Sequence, residues 1–116
     1  MIQRFEDLIA WQKAQDLGVD IYFLFKDNKD FGFKNQICNA AVSISNNIAE
    51  GFERGSKASF AHFLKISKGS CAEVKSMSYL AARLKYITIK ERVATLEKCD
   101  EELKILNGLI KSLKID

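Results

Sequence analysis

Three observations predict an all-α fold built as an antiparallel up-down-up-down four-helix bundle. Apolar residues recur at intervals of three and four over four successive stretches, the spacing of one face of an α-helix. Proline is absent from all 116 residues, which suits long uninterrupted helices because an interior proline costs roughly 3 kcal/mol. Residues that end and start helices fall between the stretches. A chain of this length, 47% hydrophobic, is enough for one domain with one core, residues 1–116, and calls for no second.

The first helix is expected over about Asp7–Lys26. Ala10, Ala14, Leu17, Ile21 and Leu24 make one stripe, and Leu8, Trp11, Gly18, Tyr22 and Phe25 widen it beyond half the circumference. Contact on two sides is the natural reading: the core on one, a partner subunit on the other. Asp27, Asn28, Lys29, Asp30 and Gly32 form a turn cluster. The second helix, about Lys34–Arg54, carries Ile37, Ala41, Ile44 and Ile48 on one face and Gln36, Ser43, Asn47 and Glu50 on another, with Ala40 between. Serine and asparagine compete for backbone hydrogen bonds and are poor helix formers. A helix here must be held by packing, and its polar face by hydrogen bonds inside the bundle or across an interface.

Gly55 is a natural helix terminator and Ser56 a natural N-cap, so the next helix should follow at once, antiparallel to the second. It is expected over about Lys57–Tyr86, roughly 45 Å at 1.5 Å per residue. Phe63, Ile66, Ser70, Val74, Met77, Ala81 and Leu84 form the expected seam, flanked by Phe60, Leu64 and Cys71. Gly69 in mid-helix suggests that another backbone approaches closely there. The last helix opens on the capping box Thr88-Ile-Lys-Glu91 and runs to the chain end, with Ile89, Val93, Leu96, Cys99, Leu103, Leu106, Ile110 and Leu113 inward and Asp100, Glu101 and Glu102 as solvated surface.

Several function classes find no support. No stretch approaches the roughly 20 apolar residues of a membrane span, and the acidic pair in MIQRFEDL stands where a signal peptide needs its apolar region, so a cytoplasmic protein is expected. Cys38, Cys71 and Cys99 are odd in number and far apart, with no CxxC and no nearby histidine, which suits free thiols rather than a disulfide framework or metal site. The single histidine, His62, has no acid or cysteine at ligand spacing, and no phosphate-binding glycine motif or di-iron Glu-x-x-His pair occurs. Glu50 and Glu73 could meet as paired carboxylates, a weak pointer to an enzyme without a nucleophile or metal set.

The net charge of +3 conceals an uneven distribution. Residues 1–53 carry five basic and eight acidic side chains (−3), residues 54–92 nine and two (+7), and residues 93–116 four and five (−1). Lys65, Lys68 and Lys75 run along one face of the third helix, with Arg54 and Lys57 near one end and Arg83 and Lys85 near the other. Such a local excess is a candidate phosphate footprint. Surface aromatics that would stack on single-stranded bases are not expected beside it.

Phe5, Leu8, Trp11 and Ala14 before Ile21-Tyr22, then Gln36, Ala40-Ala41-Val42-Ser43-Ile44, Asn47-Ile48-Ala49-Glu50-Gly51, and Phe63-Leu64 with Gly69-Ser70 and Glu73 together resemble a bacterial four-helix-bundle family. Its members include proteins encoded by intervening sequences within 23S ribosomal RNA genes, sometimes labelled as a ribosomal protein. The likeness spans nearly the whole chain. Ser45 stands where many members have proline, which removes an expected kink. The resemblance implies a left-handed bundle that assembles as a ring, a homopentamer. It extends to the accessory protein of diversity-generating retroelements, which works with a reverse transcriptase and nucleic acid through a basic surface. It supplies no established activity.

The resulting expectation is a non-enzymatic homo-oligomer that binds RNA or an RNA–protein complex through Arg54, Lys57, Lys65, Lys68, Lys75, Arg83 and Lys85, with no cofactor, metal, membrane or small-molecule substrate. Gln36, Ser43, Asn47, Glu50, Gly51, Gly69, Ser70 and Glu73 are expected to form a structural seam. The rival readings are a protein-interaction scaffold with merely solubilising lysines, and an enzyme using Ser43, Asn47, Glu50 and Glu73, which requires that cluster to open to solvent.

Overall fold

The computed structural model describes residues 1–113 and contains, among these, a 3-10 turn at Phe5–Asp7 and four helices: α1 (Ile9–Phe25), α2 (Phe31–Glu53), α3 (Lys57–Arg83) and α4 (Ile89–Leu113). The expected extension of the last helix to the chain end covers residues 114–116, which lie outside the described residues. Each helix packs on its sequence neighbours, and α4 returns to α1, whereas α1 and α3 do not touch and stand diagonally. Side-chain contacts fix the directions. Gln15 meets Ser45 while Phe25 meets Phe33; Gln36 meets Glu73 while Ser43 meets Ser70; Cys71 meets Cys99 while Tyr79 meets Arg92. As numbering rises on one helix it falls on its neighbour in each case, so every adjacent pair is antiparallel, in a four-helix bundle 45 × 21 × 20 Å.

Capping explains where the helices begin. The Asp30 carboxylate accepts from Phe33 N at 3.2 Å, so α2 starts at Phe31 rather than Lys34 and takes Gly32 into its first turn. Ser56 Oγ accepts from Ser59 N at 3.1 Å and starts α3 one residue after Gly55, whose φ of 86° reverses the chain. Thr88 and Glu91 complete the capping box in both directions, at 3.0 and 2.8 Å. α2 is unbroken through Ser45, as expected of a chain without proline there.

α3 ends at Arg83, three residues short of expectation. Tyr86 N donates to Ala81 O and Lys85 N to Ala82 O, a Schellman closure that holds Lys85 at φ 63°. A left-handed conformation costs a residue with a Cβ roughly 1–2 kcal/mol. Lys85→Gly relieves it at some cost in unfolded-chain entropy, so urea unfolding should show a gain of about 0.5–1 kcal/mol. A loss would contradict this account of the turn.

The core forms where α2 is expected to supply it: Ile37, Ala41, Ile44 and Ile48 are fully buried, opposite Ala14, Leu17 and Ile21 of α1. α3 and α4 are rotated from their expected seams. α3 turns Phe60, Leu64, Ser67, Cys71 and Val74 inward and leaves Ile66 and Leu84 exposed. α4 buries Thr95, Cys99, Glu102 and Leu106 while Ile89 and Val93 face out. In this rotation α3 packs tightly on Gly51, where a Cβ would stand 2.6 Å from Phe63 Cβ and 3.3 Å from Phe60. Gly51, not Gly69, is the glycine on which a neighbouring helix packs; a Cβ at Gly69 would meet nothing within 4 Å. All three cysteines are buried and free.

Candidate nucleic-acid interface

The basic surface is built on α3 and its two flanking turns. Lys75 Nζ reaches Asp100 of α4 at 2.7 Å, which places Lys75 on the flank of α3 facing α4. Lys68 and Lys57, seven and eighteen residues earlier, share that flank by helical periodicity. Lys65 and Arg83 are exposed and point further outward. Arg54 closes the α2 end, paired with Glu50 at 3.1 Å and lying 5.0 Å over the Phe63 ring. Lys85 lies in the α3–α4 turn. The seven cations therefore spread along the length of α3 and its two turns rather than converge on a point, an arrangement suited to a backbone of repeated phosphates.

Two of them already have carboxylate neighbours. The Asp100 hydrogen bond raises the Lys75 pKa above its ordinary value. Exposed pairs of this kind contribute little to stability and can be exchanged for phosphate. Sequence reasoning missed Lys90 and Arg92, which belong to the +7 segment and sit at the start of α4. It also missed an aromatic: Tyr79, four residues beyond Lys75, is 46% exposed with the Arg92 guanidinium 5.6 Å over its ring. The positive charge count over 54–92 contained both cations; the face of Tyr79 followed only from the rotation of α3.

The polar residues of α2 form a seam against α3. Asn47 Nδ2 donates to Ser43 O and Ser43 Oγ, each at 2.8 Å, and Ser70 Oγ donates to Ser43 Oγ at 2.8 Å. Ser67 Oγ donates to Ile44 O at 2.8 Å within the core, and Gln36 Nε2 to Glu73 Oε2 at 3.2 Å near the surface. These bonds satisfy groups that otherwise disfavour a helix. Glu50 and Glu73 do not meet. Glu73 is held opposite Gln36, and fourteen residues of α2, about 21 Å, separate Gln36 from Glu50, which turns to Arg54. Gly69 is exposed and takes no part in the seam. His62 is exposed, edge-on to Phe63 at 5.4 Å. Among the described residues no cluster of His, Cys, Asp or Glu could hold a metal ion, and no helix is long and apolar enough to cross a membrane.

Comparison with known families assigns residues 6–108 to the 23S rRNA-intervening sequence proteins. The chain belongs to that family. The match takes in all of α1, α2 and α3 and most of α4, so the seam and most of the basic surface lie within the matched span. A solved structure of a protein of unknown function from the S23 ribosomal protein family, from Bacteroides thetaiotaomicron VPI-5482, superposes with a TM-score of 0.82 at 28% identity, over 89% of this chain and 99% of that one. Comparison with curated proteins finds no match.

Proposed function

We propose that the protein is a non-enzymatic, homo-oligomeric helical bundle of the cytoplasm that binds RNA or a ribonucleoprotein through phosphate contacts. The observation that carries this reading is the segregation of charge. Residues 54–92 hold a net +7 within a chain of +3, and their nine cations lie along α3, its turns and the start of α4, six of them exposed and three half-buried. Membership in a family described by 23S rRNA intervening sequences supports RNA as the polyanion. Assembly as a ring, a homopentamer, would repeat the surface: five copies at +3 give +15, so individually weak contacts add by multivalency.

Contacts to phosphate carry no sequence information and release counterions. Binding of a structured RNA should therefore show little sequence preference and fall steeply with salt, by about 10³-fold or more between 50 and 200 mM where six or more phosphates are engaged. The triple variant Lys65→Glu, Lys68→Glu, Lys75→Glu should abolish RNA binding in a filter or anisotropy assay while leaving the subunit helical. Affinity unchanged in that variant, or insensitive to salt, would refute the reading. The exposed apolar side chains Tyr22, Phe23 and Leu80 favour a second reading, a protein-interaction scaffold. In the scaffold a protein partner stays bound after charge reversal and no RNA is bound before it.

A further inference from the structure

An exposed aromatic stands among the cations of α3, and contacts to phosphate make no use of it. Of the three tyrosines, Tyr86 is tied through its hydroxyl to Asp30 at 2.6 Å and packed edge-on against Phe33. Tyr22 lies on α1, within the segment of net −3. Tyr79 differs from both. It is exposed, and no other ring packs on it among the described residues. Its position follows from helix geometry. Lys75, Tyr79 and Arg83 come at four-residue intervals, each about 6 Å further along α3 and turned about 40° around it. Tyr79 therefore falls between the flank that carries Lys68 and Lys75 and the outward face that carries Lys65 and Arg83. Arg92 comes in from α4, its guanidinium 5.6 Å over the ring. Arg92 is half-buried, with an Nε that has no hydrogen-bond partner among the described residues. Neither Arg92 nor Arg83 forms an ion pair there. The adjoining carboxylates are engaged, Asp100 with Lys75 and Glu91 with the Thr88 N–H.

We infer that Tyr79 is a stacking platform for one unpaired RNA base, with Lys75 and Arg83 on the phosphates to either side and Arg92 backing the ring. The inference rests on the proposed RNA binding and narrows its ligand to RNA that offers unpaired bases, in a loop, a bulge or a free end. Every base has a π-face, so the stack adds affinity while the binding keeps its lack of sequence preference. Arg92 covers one face of the ring as a cation–π partner, and the base takes the other. Lys75 leaves Asp100 for the phosphate, an exchange that costs little because the pair is exposed. A duplex cannot use the platform. Its bases are already paired and stacked, and the A-form major groove is too narrow to admit a side chain, so a duplex engages the cations alone.

The test compares Tyr79→Ala and Tyr79→Phe on two probes of equal phosphate number, an unstructured single-stranded RNA and a blunt RNA duplex, by fluorescence anisotropy at one low salt concentration. The ring is exposed, and alanine is the better helix former, so both variants should keep the wild-type circular dichroism. Tyr79→Ala should weaken binding of the single strand by about 5- to 140-fold and leave the duplex unchanged. Tyr79→Phe keeps the ring and should bind both probes as the wild type does. A 2-aminopurine placed in the single strand should be quenched by the wild type and by Tyr79→Phe, and not by Tyr79→Ala. Equal loss of both probes in Tyr79→Ala, or loss of neither, overturns the platform while phosphate binding stands, as does a Tyr79→Phe that behaves like Tyr79→Ala. A wild type that binds neither probe is failure of the underlying reading, and the platform falls with it.

Discussion

Replacing Glu102 with leucine should stabilise the protein at alkaline pH and remove most of the pH dependence of its folding. Glu102 is 1% exposed, and neither carboxylate oxygen has a hydrogen-bond partner among the described residues. Burial, with a smaller contribution from neighbouring Glu101, pushes its pKa from 4.5 up to about 8, and Lys13 offsets this only in part. Lys13 is itself paired with Glu101 at 3.0 Å.

The sign follows from proton binding. Between these two pH values the folded chain holds a proton that the unfolded chain has released. The stability present below about pH 4.5 is therefore lost progressively as pH rises toward 8 and changes little beyond. A tenfold change in proton affinity is worth about 1.36 kcal/mol, so the full swing is on the order of 3–5 kcal/mol, a large share of the roughly 5–15 kcal/mol that holds a small domain together. Urea unfolding across pH 5–9 should show falling stability in the wild type and a nearly flat profile in Glu102→Leu. Glu102→Gln should be flat as well but less stable than leucine, since its amide stays unsatisfied. A slope unchanged by either substitution would mean that Glu102 does not carry the proton.

Gly51→Ala should destabilise the bundle by about 1–3 kcal/mol, the ordinary cost of overpacking. Helix propensity alone favours alanine over glycine by about 1 kcal/mol, so the two effects differ in sign and the measurement decides between them. The added Cβ would stand 2.6 Å from Phe63 Cβ, an atom that cannot swing away without moving α3. That movement would also strain the Ser43–Ser70 hydrogen bond two turns along. Gly69→Ala is the control. It should stabilise the bundle by about 1 kcal/mol, because its methyl meets open space. A stabilising Gly51→Ala would show that α2 and α3 are not tightly packed at this point.

What the sequence disclosed follows the strength of its local signals. The Gly55-Ser56 reversal and the Thr88–Glu91 capping box are set by short-range chemistry and were legible residue by residue. So was the α2 core face, where a narrow isoleucine and alanine stripe leaves one solution. α3 and α4 carry apolar residues around much of their circumference, so periodicity gives a helix without fixing its rotation about its own axis. That rotation is set by contacts between helices, such as Gly51 on Phe63, which join residues far apart in sequence. Glu102 shows the consequence: inside a run of three acids it reads as surface, yet it falls in the inward register of Thr95, Cys99 and Leu106. The cations of the candidate interface were readable because charge is additive along the sequence. Their partners were not, since Asp100 and Arg92 reach α3 only through the packing of α4.

An oligomer of this bundle that holds RNA by its phosphates is tested most directly by light scattering of the purified protein mixed with a structured RNA, with ultraviolet absorbance recorded, at low and at high salt. A mass of about 65 kDa for the free protein, five times 13.1 kDa, joined by RNA at low salt and freed of it at high salt, is the predicted result. A 13.1 kDa species that never co-migrates with RNA at either salt would contradict it.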